Sequence, residues 1–208
     1  MNTPDWEGAE RHALKLLEGL PPGLAYHGIH HTRDDALPSA HRLAEMSGVE
    51  GEGLILLRTA VLYHDTGYLE QYFRNEPIGA RIAAETLPAF GFSPSQIQAI
   101  RGIIMATQLP QSPHTFLEEL ICDADLDSLG RDDYFVTAHN LRDELEGHGV
   151  PLTMQEWYER QIQFLTSHSY FTAAARSLRD AGKQKNIQEL ERRLRAMEHK
   201  DPKGFKNP

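Results

Sequence analysis

The stretch that most constrains this chain runs from Leu54 to Asp65, reading Leu-Ile-Leu-Leu-Arg-Thr-Ala-Val-Leu-Tyr-His-Asp. Up to Tyr63 only Arg58 and Thr59 are polar. A helix that is apolar nearly all round belongs in the middle of a bundle, because on the surface one of its faces would lie against water. Yet the stretch ends in two adjacent titratable groups, His64 and Asp65. Bringing an imidazole and a carboxylate into an interior is costly unless each finds a partner or a cation. A core histidine beside a helix-end aspartate is one reading of the pair; a metal or catalytic pair is the other.

A central helix needs others around it, and the hydrophobic spacing supplies them. Residues 5–20 place Trp6, Ala9, Ala13, Leu14, Leu16, Leu17 and Leu20 along an amphipathic helix, stopped by Gly19 and Pro21-Pro22-Gly23. A second helix ends near Met46, with Pro38 in its first turn or at a kink. Asn75 is placed to cap a helix that has Glu76 and Pro77 in its first turn and runs to about Phe90, before Gly91. Ser93-Pro94-Ser95-Gln96 reads as a capping box, followed by the stripe Ile97, Ile100, Ile103 and Ile104. Further helices are expected over 116–129, 132–147, 153–168, 170–181 and 184–198, with a polar tail at 201–208 that frays. The chain has no alternating strand pattern, internal repeat, Gly-rich phosphate loop or Gly-x-Ser-x-Gly turn. The expected fold is all-α, a single domain over residues 1–208 built as a bundle of roughly eight to ten helices.

Composition narrows the function classes. The 208 residues suffice for a substantial core. A single cysteine, Cys122, excludes an intramolecular disulfide framework and a cysteine-rich zinc site, and suits a reducing compartment. No run reaches membrane-spanning length, and the acidic start Met1 to Glu7 lacks the form of a signal peptide, so no membrane partner and a cytoplasmic location are expected. A formal net charge of −9 argues against a broad nucleic-acid-binding face. It leaves room for a small phosphorylated ligand held by a local positive site. Exposed apolar helix faces would support a homodimer, although no heptad seam specifies one.

Three polar clusters stand out, each tied to a helix: His27, His30 and His31; then His64-Asp65; then Asp123, Asp125 and Asp127. Imidazoles and carboxylates together can hold a divalent transition metal and leave positions open for water. One His of the first cluster, His64, Asp65 and one Asp of the third supply two nitrogens and two oxygens.

The order His … His-Asp … Asp resembles the HD superfamily of metal-dependent phosphohydrolases, over roughly residues 26–135, with 136–208 as further helices packed on that core. Tyr26-His27-Gly28-Ile29-His30-His31-Thr32 is similar to the family's first ligand segment. Leu62-Tyr63-His64-Asp65 is similar to its doublet, and Asp123-Ala124-Asp125-Leu126-Asp127-Ser128-Leu129-Gly130 to its last segment, where the Asp after Ala is the ligand. The resemblance implies the ligands His31, His64, Asp65 and Asp125. It implies one divalent metal ion drawn from Mn, Fe, Co, Ni, Zn or Mg, and hydrolysis of a small phosphorylated substrate, a nucleotide first of all, by a metal-activated water. In the related cyclic-nucleotide phosphodiesterases a His four before the ligand His donates a proton. The match gives that role to His27, without the asparagine that follows it there.

The chain also departs from the family. Members with two metals carry extra histidines where this chain has Asn75-Glu76 and Thr107-Gln108. Some nucleotide-cleaving members carry an acid where Tyr68 stands, which leaves Glu70 or Glu76 as candidate base. Arg33 and Arg131 are candidates to grip phosphate, against the plainer reading of surface charges. His30 reads as an ordinary loop residue, and Asp123 and Asp127 as supporting or surface groups. A metal-bearing regulatory or ligand-binding domain without turnover is the alternative from another class. A paired-iron oxygenase is a third, disfavoured by the missing histidines.

Overall fold

A computed structural model describes residues 4–198. Among them it forms nine α-helices and no strand: α1 (Trp6–Leu17), α2 (Leu37–Met46), α3 (Gly51–Tyr63), α4 (Glu76–Thr86), α5 (Pro94–Ala106), α6 (Phe116–Asp125), α7 (Tyr134–Gly147), α8 (Met154–Ser167) and α9 (Ala173–Glu198). The all-α bundle read from the sequence is the fold. No helix among the described residues is long and apolar enough to cross a membrane. The expected fraying of residues 201–208 lies outside the described residues.

The apolar helix is central, as its composition demands. α3 packs against α1, α2, α4, α5 and α6, and Leu57, Ala60, Val61 and Tyr63 are completely buried. Its two central polar residues turn to neighbouring groups. Thr59 Oγ1 donates to Ile55 O at 2.8 Å. The Arg58 guanidinium lies 4.5 Å from the Trp6 ring centroid and 3.7 Å from Glu10. One hydrophobic core continues from Ala9 in α1 to Leu190 in α9.

The capping box predicted at Ser93 and Gln96 is present at the start of α5, and two more, Thr115/Glu118 and Thr153/Glu156, open α6 and α8. Three expectations need correction. Asn75 stands at the head of α4, but its side chain makes no capping hydrogen bond. The helix expected over 116–129 ends at Asp125: Leu126 leaves helical geometry, and Asp127–Gly130 form a tight 3₁₀ turn against α9. The break expected between 181 and 184 does not occur, and α9 runs unbroken for 26 residues. Gly182 lies inside it because a Cβ there would overlap Gly130 O, just as a Cβ on Gly130 would overlap the backbone of Arg179. Two glycines thus let a turn and a helix meet backbone to backbone.

That contact is locked by polar groups. Arg179 binds Asp127 through two bonds of 2.7 and 2.8 Å, and Asn186 Nδ2 donates to Leu129 O and Arg131 O. Asp123, fully buried, accepts from the Phe171 and Thr172 amides at 2.8 Å and from Thr172 Oγ1 at 2.7 Å, which fixes the entry to α9.

Candidate metal centre

Three short segments deliver the four side chains. His31 opens a π-helical turn, His31–Ala36, in which the Leu37 amide reaches back five residues to Thr32 O. Such single turns concentrate at functional positions, because the extra residue re-aims a side chain. His64 and Asp65 open a 3₁₀ turn, His64–Leu69, that continues α3. Asp125 is the last residue of α6. The 3₁₀ turn is clamped by α4, so close that a Cβ on Gly79 would stand 2.8 Å from His64 O and 2.9 Å from Tyr63 O. A Cβ on Gly67 would overlap Asn75 O.

The four side chains converge. His31 Nε2 lies 3.0 Å from Asp125 Oδ1 and 3.7 Å from Asp65 Oδ2. His64 Nε2 lies 3.3 Å from Asp65 Oδ2 and 3.4 Å from Asp125 Oδ1. Donor atoms of the buried trio His31, His64 and Asp65 all fall within 4.8 Å of one another. The tautomer of His64 follows from its other nitrogen: Nδ1 is 2.6 Å from Val61 O, which can only accept, so Nδ1 carries the hydrogen. In the neutral ring Nε2 then presents a lone pair to the carboxylates, the orientation that backbone carbonyls give to metal-binding histidines.

The donor set passes a chemical test for a cation. His64 Nε2 and Asp65 Oδ2 are buried and have no hydrogen-bond partner. Buried lone pairs facing one another are costly, and a divalent ion among them removes the cost. With protons in place of a cation, burial opposes charge on His64, but Asp65 and Asp125 prevail and raise its pKa to about 10. Burial likewise opposes charge on His31, and Asp125 and Asp65 raise its pKa. Asp125, against burial, is held well below the carboxylate range by the two imidazoles.

Beside the cluster opens a cavity of about 350 Å³, within the span typical of small-molecule sites. His64, Asp65 and Asp125 form part of its wall, with His27, Tyr68 and Glu76. His27 lies against Tyr68, ring centroids 4.7 Å apart and tilted by 30°, and its Nδ1 lies 2.5 Å from Glu144 Oε1. Glu144 is completely buried at its side chain and also accepts from the Tyr26 amide at 2.7 Å, the His27 amide at 3.0 Å and Tyr72 Oη at 2.9 Å. It is a carboxylate held by four donors, one of which orients a cavity histidine. Burial raises the Glu76 pKa, with Asp65 and Asp125 adding to it, and Glu76 Oε2 is buried without a partner.

Other predicted residues lie elsewhere. Glu70 is exposed and paired with Arg81 at 2.6 Å, outside the cavity wall. Arg33 is exposed and bonded to Asp34, and Arg131 is held by Asp35 and Asp133 at 2.7 and 2.5 Å. Neither lines the cavity. A side chain two positions from His31 points to another side of the turn, which is why sequence proximity misleads for Arg33. His30 is exposed.

The sequence reading missed Glu144, Tyr72 and Arg74. Glu144 lies among other acids, yet it is three residues after Leu141 and so shares the face that Leu141 turns toward the cavity. Arg74 lines the mouth with a left-handed backbone, φ 59°, which nothing in its neighbours announces.

Comparison with known proteins adds nothing to this: no family model, no curated protein and no solved structure matches the chain. The likeness to HD phosphohydrolases rests on the residues quoted above.

Proposed function

We propose that this chain is a metal-dependent phosphohydrolase acting on a small phosphorylated substrate, nucleotides first among those to be tried. The observation that carries the reading is the meeting of two buried imidazoles and two carboxylates, with His64 Nε2 and Asp65 Oδ2 unpaired, at the wall of a ligand-sized cavity. His31, His64, Asp65 and Asp125 would hold the ion. When bound, such an ion supplies acidification of a coordinated water and polarisation of a phosphoryl oxygen.

The chain's own groups supply the rest. Glu76, which lines the cavity and has a buried Oε2 without a partner, would take a proton from the attacking water. A bond forms between that water's oxygen and phosphorus, and the ester P–O bond breaks. His27, fixed through Nδ1 by Glu144, uses Nε2 to hand a proton to the departing oxygen. The products are an alcohol and a phosphate. Arg74, which lines the cavity, would hold phosphoryl oxygens. Glu70, Arg33 and Arg131 have no part in this scheme, because their geometry turns them away.

The test is hydrolysis of a panel of nucleoside monophosphates, cyclic nucleotides and nucleoside triphosphates, read as release of phosphate, nucleoside or ring-opened nucleotide, with each of Mn²⁺, Co²⁺, Ni²⁺, Fe²⁺, Zn²⁺ and Mg²⁺. Release that stops on chelation and in Asp125→Ala supports the reading. Silence from protein shown by elemental analysis to hold metal would transfer the assignment to a binding domain without turnover.

A further inference from the structure

The cavity that receives the substrate is unlike a polyphosphate site. Away from His64, Asp65 and Asp125 its wall is largely apolar, with Leu129, Leu141, Leu145 and Phe164 among the residues that form it. The apolar character continues outward to the rim, where Phe73 is 55% and Leu109 is 58% exposed. These are two of the few large hydrophobic side chains the described residues leave in water. Single exposed apolar residues are ordinary on a surface; two on the rim of one apolar cavity extend its wall.

Charge points the same way. Among the lining residues Arg74 is the only Lys or Arg, against three carboxylates, Asp65, Glu76 and Asp125. Sites for di- and triphosphates meet each added phosphate with further cations or a cradle of backbone amides. Here Arg33, Arg81 and Arg131 do not line the cavity and are already committed to carboxylates. One phosphoryl group next to the ligand cluster is what the wall can neutralise. Beyond it, the substrate meets hydrocarbon and aromatic faces.

We infer that the substrate is a phosphate monoester whose alcohol part is apolar or aromatic, bound with its single phosphoryl group at the His-Asp cluster and its body between the rim residues Phe73 and Leu109. This rests on the phosphohydrolase reading and narrows it. Rim residues then set specificity by burying the body, and contribute nothing to holding the phosphoryl group.

The experiment compares binding of 1-naphthylphosphonate and methylphosphonate to the Mn²⁺-loaded chain by titration calorimetry. Both carry the same non-hydrolysable head and differ only in the body. Naphthylphosphonate is expected to bind at least tenfold more tightly. The single neutral variants Phe73→Ser and Leu109→Ser, both at exposed positions, are expected to reduce that preference at least threefold. Equal affinity for the two phosphonates, or a preference that survives both variants, overturns the inference. Turnover of 1-naphthyl phosphate and glycerol 3-phosphate is measured alongside. Tight binding of the aromatic phosphonate with no hydrolysis of either ester overturns the phosphohydrolase reading and leaves the binding preference standing. Faster hydrolysis of glycerol 3-phosphate does the reverse.

Discussion

Replacing Glu144 by Gln tests the least expected part of the site. The side chain is isosteric, so packing is conserved and only the charge and two acceptor positions change. Burial alone would raise the Glu144 pKa, but the bond to His27 and the amides of Tyr26 and His27 outweigh it and bring it from 4.5 to about 2. At roughly 1.4 kcal/mol per pKa unit, this is about 3 kcal/mol of stability at neutral pH. Because the folded pKa is the lower one, the contribution is fully present above about pH 4.5 and is lost as the pH falls toward 2. The titratable groups that face Glu144 are His27 from the segment before the π turn, Tyr68 from the 3₁₀ turn and Tyr72 from the segment before α4, while Tyr26 offers only its amide and His148 Nδ1 contacts the Glu144 backbone carbonyl at 2.9 Å. Urea unfolding of wild type and Glu144→Gln at pH 7 should differ by about 3 kcal/mol. The difference should shrink by about 1 kcal/mol between pH 4.5 and 3.5. In catalysis Glu144 acts through His27, so the variant should slow esters with poor leaving groups more than a nitrophenyl ester, with KM little changed. A stability difference below about 1 kcal/mol at pH 7, or one that does not move with pH, would refute the idea that a charged carboxylate organises this corner.

Three further outcomes are expected. Chelation should lower the melting temperature by about 5–10 °C for metal at about a hundred times its Kd, because binding there adds about 2.7 kcal/mol; identical melting curves of loaded and metal-free protein would contradict this. Gly79→Ala pushes a methyl group against His64 O and Tyr63 O and should cost about 1–3 kcal/mol and reduce bound metal, read by denaturation and elemental analysis. Asp123→Ala strands the Phe171 and Thr172 amides and should cost about 3 kcal/mol, whereas Asp125→Ala should mainly lose metal; equal stability losses would erase the distinction drawn between these neighbours.

Fold and site differ in how openly the sequence displays them. The core position of α3 follows from ten residues of nearly unbroken apolarity, a property of the segment itself. The start of α5 follows from Ser93 and Gln96, which need only each other. The unbroken course of α9 through Gly182 has its reason in Gly130, far away in sequence, so no local pattern contains it. The site divides the same way. His31, His64, Asp65 and Asp125 were marked by motif, and they meet. Glu144 is joined to His27 across 117 positions, and a burial of that kind is visible only once α7 is packed. Arg33 and Arg131 looked suitable because they flank motif residues, but nearby aspartates claim them in the fold.

The meeting of α9 with the turn Asp127–Gly130 bears on how the protein is made. Asp125 is bracketed by two residues, Asp123 and Asp127, whose partners Thr172 and Arg179 lie beyond position 170. On the ribosome, His31, His64 and Asp65 emerge early and can settle around α3 as soon as its neighbours appear. The turn that follows the fourth side chain is held against α9, which emerges later. A nascent chain therefore has no finished centre until α9 has cleared the exit tunnel, and an ion captured earlier meets an incomplete set of donors. Loading becomes a late event, tied to the docking of α9.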